Sequence, residues 1–198
     1  MEACLKNLKN VVTAVFPFTD EAWIDFSSLF KYQKIKRGEY FCREGEFPEN
    51  AAFVCNGVLS AFYRTEEGVE YNKTFFVENS FPVSLAAVLQ RSKSYLNFQT
   101  LEDCELLVAY YHKIEELYQN HRCIETFVRK ILEFEWVLKK EQRELRLVLN
   151  NAEQRYLFFQ QEYPGLENRI PQYHIASHLG VTPIQLSRIR AKIAKSTK

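Results

Sequence analysis

Residues His178–Ile193 read "HLGVTPIQLSRIRAKI". Gly180 permits positive φ where a preceding helix must stop. Thr182 then supplies an N-cap hydroxyl, and Pro183 takes the first helical position, where its missing N–H costs nothing. Gln185 follows Thr182 by three residues, the spacing of a capping box. Before the turn, Ile175 and Leu179 share an inward face. After it, Leu186, Ile189 and Ile193 do the same. Ala176 is small where two crossing helices approach closely, and Val181 anchors the turn. Residues 171–194 are thus predicted to form two helices around a tight turn.

The second helix turns Ile184, Gln185, Ser187, Arg188 and Lys192 outward. This is the logic of a helix-turn-helix, in which the first helix crosses the DNA backbone and the second enters the major groove. Arg188 has the fork geometry to pair with a guanine edge. Gln185 and Ser187 reach bases or phosphates. Arg190, Lys192, Lys195 and Lys198 are expected to neutralise phosphates, and Gln172, at the start of the first helix, to donate to one. His174 and His178, four apart on one face, have metal-ligand spacing but no evident third ligand. Exposure near phosphates is the simpler expectation for both.

Charge supports the reading. The net charge is only +1, yet all 25 acids lie at or before Glu167. Residues 169–198 hold six cations (Arg169, Arg188, Arg190, Lys192, Lys195 and Lys198) and no acid. An acidic body with a basic end points to a polyanionic partner there.

Upstream, residues 124–148 carry a seven-residue repeat. One position holds Ile124, Ile131, Leu138 and Leu145; the other holds Phe127, Phe134, Glu141 and Val148. A second stripe runs through Val128, Leu132, Trp136, Val137 and Leu147. One helix with two apolar stripes can pack on its own body with one and on a twin with the other. The repeat is therefore expected to be a dimer seam, with Glu141 helping to fix register.

Between about 31 and 110 the pattern is short, aromatic-rich runs: "KYQKI", "EYFCRE", "AAFVC", "VLSAFYR", "EYNKTFFV", "YLNFQTL" and "CELLVAYY". Frequent turn residues separate them, which predicts an antiparallel sandwich or roll. Asn56-Gly57 reads as a two-residue hairpin turn. "SLAAVLQ" (84–90) reads as a short inserted helix. Residues 1–30 read as helical, with Thr19 or Asp20 capping a helix that carries Trp23, Phe26, Leu29 and Phe30. The predicted fold class is α+β: an N-terminal antiparallel β-roll of the jelly-roll type, a long helix over about 121–149, and a C-terminal helix-turn-helix. The expected domains are 1–149 and 150–198.

The order of these parts resembles the Crp/Fnr family of bacterial transcription regulators. The likeness is most specific in "YHIASHLGVTPIQLSRIRAKI", and "IKRGEYFCREGEFPENAAFVCNGVLSAFY" is similar to the family's roll. The resemblance implies a homodimer on a near-palindromic double-stranded DNA site, an effector pocket in the roll, and RNA polymerase as a further partner. It assigns Arg188 to base contact and Thr182 to capping and phosphate contact. Pro183 and Ile184 stand where better-known members carry a charged pair, so the operator should differ.

In members that bind cyclic AMP, Gly-Glu holds the ribose and Arg-Ser or Arg-Thr the phosphate. Here Val83-Ser84 stand at the first place and Ser94-Tyr95 near the second, with Arg91-Ser92 three residues early. Ser84 cannot replace a carboxylate that accepts two ribose hydroxyls, so cyclic AMP is not the expected effector. The effector's identity stays open, and no cofactor is expected. Phe75, Phe76, Phe81, Tyr95 and Phe98 are expected to fill the roll with solid aromatic packing.

Other classes find little support. The five scattered cysteines contain no Cys-x-x-Cys pair, which argues against zinc or an iron–sulfur cluster. They are expected to be reduced in a cytoplasmic protein, since the chain shows no signal peptide and no membrane-spanning run. Neither His112 nor His121 makes a persuasive haem ligand. Glu66-Glu67 and Glu115-Glu116 sit where solvation is the default, so no enzyme is expected. The alternative function is a ligand-binding or protein-interaction roll whose basic C-terminus contacts another protein.

Overall fold

Among the described residues, seven short strands form two antiparallel sheets. They are β1 (Lys31–Ile35), β2 (Tyr40–Cys42), β3 (Asn50–Asn56), β4 (Leu59–Arg64), β5 (Glu70–Phe76), β6 (Asn97–Thr100) and β7 (Cys104–Tyr110). One sheet has the order β1-β7-β3 and the other β2-β6-β4-β5. Six strands fall within a run identified from the sequence, and β3 extends "AAFVC" by one residue at each end. The computed structural model describes residues 1–196 and, at Ser196, the backbone alone; Lys198 lies outside the described residues.

Asn56-Gly57 is not a hairpin turn. β3 pairs with β7, whereas β4 pairs with β5 and β6. The dipeptide carries the chain from one sheet to the other. Gly57 has φ +99°, and a Cβ there would lie 2.6 Å from Cys104 Sγ and 2.7 Å from the Asp103 carbonyl oxygen. A turn signal of this kind specifies backbone conformation but not which strands pair across it.

Ile35, Val54, Leu59 and Leu106 fill the space within the roll, alongside Cys42, Ala61, Leu96 and Phe98. Two helices cover part of its outside, α1 (Glu2–Val15) and α2 (Asp20–Ser28). Thr19 caps α2 by accepting the Ala22 N–H at 3.2 Å. Cys4, Leu8 and Val12 recur every four residues and pack with Phe26, Phe53 and Leu107. The inserted helix α3 (Leu85–Gln90) and α4 (Tyr111–Glu116) complete this part. All five cysteines are free. No helix of the described residues is long and apolar enough to cross a membrane.

The long helix comprises α5 (Arg122–Leu132), a π-helical turn over Glu133–Leu138, and α6 (Lys139–Leu149). The π turn splits the predicted seam. A π turn holds one residue more than an α turn, so the repeat slips by about 100° around the axis. Ile124 and Phe127 are buried in the core of their own chain, and Ile131 packs against it. Ile124 and Phe127 therefore face their own chain and cannot meet a twin. Within the turn, Phe134 and Leu138 are each 51% exposed, and after it Leu145 and Val148 are 53% and 82% exposed. Leu132 and Trp136 of the second stripe pack on Val83, Leu85 and Tyr111.

The C-terminal helices are α7 (Ala152–Glu162), α8 (Gln172–Leu179) and α9 (Pro183–Ser196). Asn151 and Gln154 form a reciprocal capping box at the start of α7. Tyr156, Phe159, Leu166, Ile175, Leu179 and Leu186 make the core of this unit, which is continuous with Val58, Phe75 and Leu101 of the roll.

Candidate nucleic-acid interface

α8 ends at Gly180, which has φ +66° and ψ +37°. The Thr182 hydroxyl accepts the Gln185 N–H at 3.2 Å, and the Gln185 side chain accepts the Thr182 N–H at 2.9 Å. Both halves of the expected box are formed. Ile175, Ala176, Leu179 and Leu186 are buried, and Ile189 and Ile193 pack against them. α9 is thereby seated on α8 with one face outward. Ile184, Gln185, Ser187, Arg188, Lys192 and Lys195 are exposed on it, as is Gln172 at the start of α8.

Not every cation is available as the sequence suggested. Arg190 is half-buried against Tyr156, and one of its guanidinium nitrogens is enclosed. The Tyr156 hydroxyl donates to Glu167, and burial together with that carboxylate pushes its pKa up to about 12. Arg190 therefore belongs to the inside of the unit. Lys192 donates to Glu153 of α7 at 2.5 Å, so its charge is already answered there. Arg169 is bound by Glu78 and Glu102, both at 2.7 Å, and these hydrogen bonds raise its pKa. A one-dimensional count of charge cannot see such pairings across the fold. Arg188 and Lys195 remain outward.

The two histidines are not exposed. α8 lies along β5, and the pairing uses its polar groups. The Ser177 hydroxyl donates to the Glu70 carbonyl at 2.6 Å and accepts the Asn72 N–H at 2.9 Å. His178 Nδ1 lies 3.2 Å from the Asn72 carbonyl, which can only accept, so that nitrogen carries the proton. The rings of Phe75, Phe159 and Tyr163 surround His178, at 5.2, 5.9 and 6.1 Å between centroids. Burial, with Arg143 adding to it, drives the His178 pKa down to about 3. His174 is 4% exposed and its pKa is also lowered by burial. Its Nδ1 lies 3.4 Å from the Asn72 side-chain amide. Among the described residues, no group of three or more His, Cys, Asp or Glu is placed to hold a metal ion.

The expected effector segment is closed on itself. Ser84 and Ser94 hydroxyls bond each other at 2.8 Å, and Ser94 also donates to the Leu96 carbonyl. Arg91 is exposed, with φ +50° at the end of α3. The Ser92 hydroxyl is buried without a partner, and Tyr95 is 72% exposed. This segment offers neither a ribose-binding carboxylate nor an inward cation, so it does not fit a cyclic nucleotide. The roll is also not solidly packed. A cavity of about 190 Å³ opens beside Phe75, Phe76, Phe81 and Phe98. Of the six residues expected to form the effector pocket, Val83 alone lines it. The other walls come from the long helix and the C-terminal unit, which local motif reading does not bring together.

Residues 32–121 match the cyclic nucleotide-binding domain family. No curated protein matches the chain at the sequence level. Solved structures give the whole architecture. The c-di-GMP-responsive global regulator CLP of Xanthomonas campestris superposes with a TM-score of 0.65 at 14% identity, over 90% of this chain and 93% of that one. FixK2 of Bradyrhizobium japonicum gives 0.70 at 14% identity, over 85% and 86%. A structure from Eubacterium rectale described as a transcriptional regulator of the Crp/Fnr family gives 0.68 at 14% identity, over 90% and 84%. A sheet pair, a long helix and a terminal helical unit in this order, with the roll matched by sequence, give the chain a Crp/Fnr-like fold.

Proposed function

We propose that the chain is a DNA-binding transcription regulator that acts as a homodimer on a near-palindromic operator. The observation that carries this reading is α9 itself: a capped helix, seated on α8 across a left-handed glycine, with Gln185, Ser187 and Arg188 outward. Arg188 reads a base edge. Thr182, Gln172 and Lys195 serve the phosphates, while Lys192 reaches one only by leaving Glu153. The exposed stripe of Phe134, Leu138, Leu145 and Val148 fits a second copy of the same helix. RNA polymerase is the further partner that such a regulator engages.

Selection from random-sequence duplexes by the full chain tests this. The expected result is a two-fold site bound with a steep loss of affinity as salt rises. Retention of no duplex at low salt would overturn it.

A further inference from the structure

The cavity lies where three parts of the chain meet. Phe75, Phe76, Phe81 and Phe98 of the roll, Trp136 of the long helix and Tyr163 after α7 supply its apolar wall. Its charged wall holds Lys73, Lys140 and Arg143. Two acids also line it, and each already has a cation: Glu135 bonds Lys139 at 2.7 Å and Glu162 bonds Arg146 at 3.2 Å.

The three remaining cations are poorly matched. Among the described residues no carboxylate pairs with Lys73 or Arg143. Arg143 donates to the Asn72 carbonyl at 3.2 Å. Lys140 meets Glu144 only at 3.7 Å, in a pair more than 60% exposed on both sides, which contributes little. Lys73 is half-buried, with its ammonium 5.1 Å from the centre of the Trp136 ring. Its pKa is lowered by burial, and further by Arg143 and Lys140. Like charges gathered beside an apolar hollow raise the energy of the empty site, and an anion relieves it.

The size restricts the occupant. About 190 Å³ is less than the roughly 300–1,000 Å³ of sites for drug-sized molecules. Rings line it on several sides, and Phe76 and Phe98 stack at 5.8 Å. Aromatic walls favour an aromatic guest in offset or edge contact.

We propose that this cavity binds a small single-ring carboxylate, with the ring among the phenylalanines and the charge beside Lys73, Lys140 and Arg143. The anion is held by the long helix and β5, not by the segment around α3, whose hydroxyls are bonded to one another. Its far wall is Tyr163 and His178, so an occupant touches the unit that carries α9.

Trp136 is a built-in reporter. The chain has two tryptophans, and Trp23 packs in the core between α1 and α2, away from the cavity. The full chain carrying Trp23→Phe would be titrated with phenylacetate, its neutral analogue phenylacetamide, and cyclic AMP. A saturable change in Trp136 fluorescence with phenylacetate is expected, with phenylacetamide weaker by about tenfold or more. Lys73→Met and Lys140→Gln should each weaken phenylacetate several-fold and leave phenylacetamide unchanged. Lys140 is exposed, so its variant keeps the fold. Equal binding of acid and amide, no saturation by about 10 mM, cyclic AMP binding in place of the acid, or unchanged affinity in both variants would each overturn the proposal. DNA binding plays no part in this readout, so its failure leaves the regulator reading standing.

Discussion

Arg169 grips Glu78 with two parallel hydrogen bonds, Nη2 to Oε1 at 2.7 Å and Nη1 to Oε2 at 2.9 Å. The same carboxylate accepts the Gly57 N–H at 2.9 Å, so the segment leading into α8 is tied to the corner between the two sheets. Both side chains are about a third exposed, which limits the strength of the pair. Arg169→Ala is expected to loosen the C-terminal unit from the roll by roughly 1 kcal/mol. Hydrogen exchange along α8 would report it as lost protection.

His178 makes that docking sensitive to acid. Its folded pKa of about 3 lies below the ordinary value of about 6.5, so the unfolded chain binds the extra proton first. Its contribution is complete above pH 6.5 and declines as pH falls from about 6.5 toward 3, by at most about 1.4 kcal/mol per pH unit. His174 shifts the same way. Denaturation curves between pH 7 and pH 4 should show the loss. In His178→Phe the slope should be shallower.

Arg188 and Arg190 stand two apart but should behave differently. Arg188→Ala should cost roughly 1–3 kcal/mol of DNA affinity and relax preference at one base pair of each half-site. Arg190→Ala should lower the melting temperature and leave base preference unchanged, because its guanidinium lies against Tyr156. Parallel melting and binding-selection experiments on both variants decide this.

Gly57 should tolerate no side chain. A methyl group there meets Cys104 and the Asp103 carbonyl, and the φ of +99° penalises any L residue. Gly57→Ala should lose more than the roughly 1–3 kcal/mol of backbone strain alone. Urea unfolding would measure it.

Self-association should depend on the lower half of the long helix only. Leu138→Lys or Leu145→Lys should give monomers in sedimentation while keeping the fold, since both side chains are about half exposed. Ile124→Lys should instead destabilise the chain, because that residue is fully buried.

Local chemistry was the legible part of this sequence. The Thr182–Gln185 box, the Gly180 stop and the Thr19 cap use neighbours three residues apart or fewer, and all form as read. The strands were legible because turn residues bracket apolar alternation. Two things were not. Asn56-Gly57 announces a turn, but pairing depends on β7, nearly fifty residues later. The seating of α8 on β5 joins Asn72 to Ser177, 105 residues apart, and no spacing rule reaches that far. The same distance hid the burial of both histidines and the partners of Arg169. The cavity draws its wall from β5, the long helix and α7, so motif reading around residues 83–95 looked in the wrong place.

The π turn at Glu133–Leu138 lets one repeat address two audiences. Above it, Ile124 and Phe127 speak to the chain's own body; within it Phe134 and Leu138 look outward, and after it Lys139 and Arg143 line the cavity. Regularising that turn to α-helix at unchanged chain length would rotate everything after it by about 100°. Leu145 and Val148 would leave the outward stripe and Arg143 would leave the hollow, and the proposed pairing with a twin and the proposed capture of an acid would go with them.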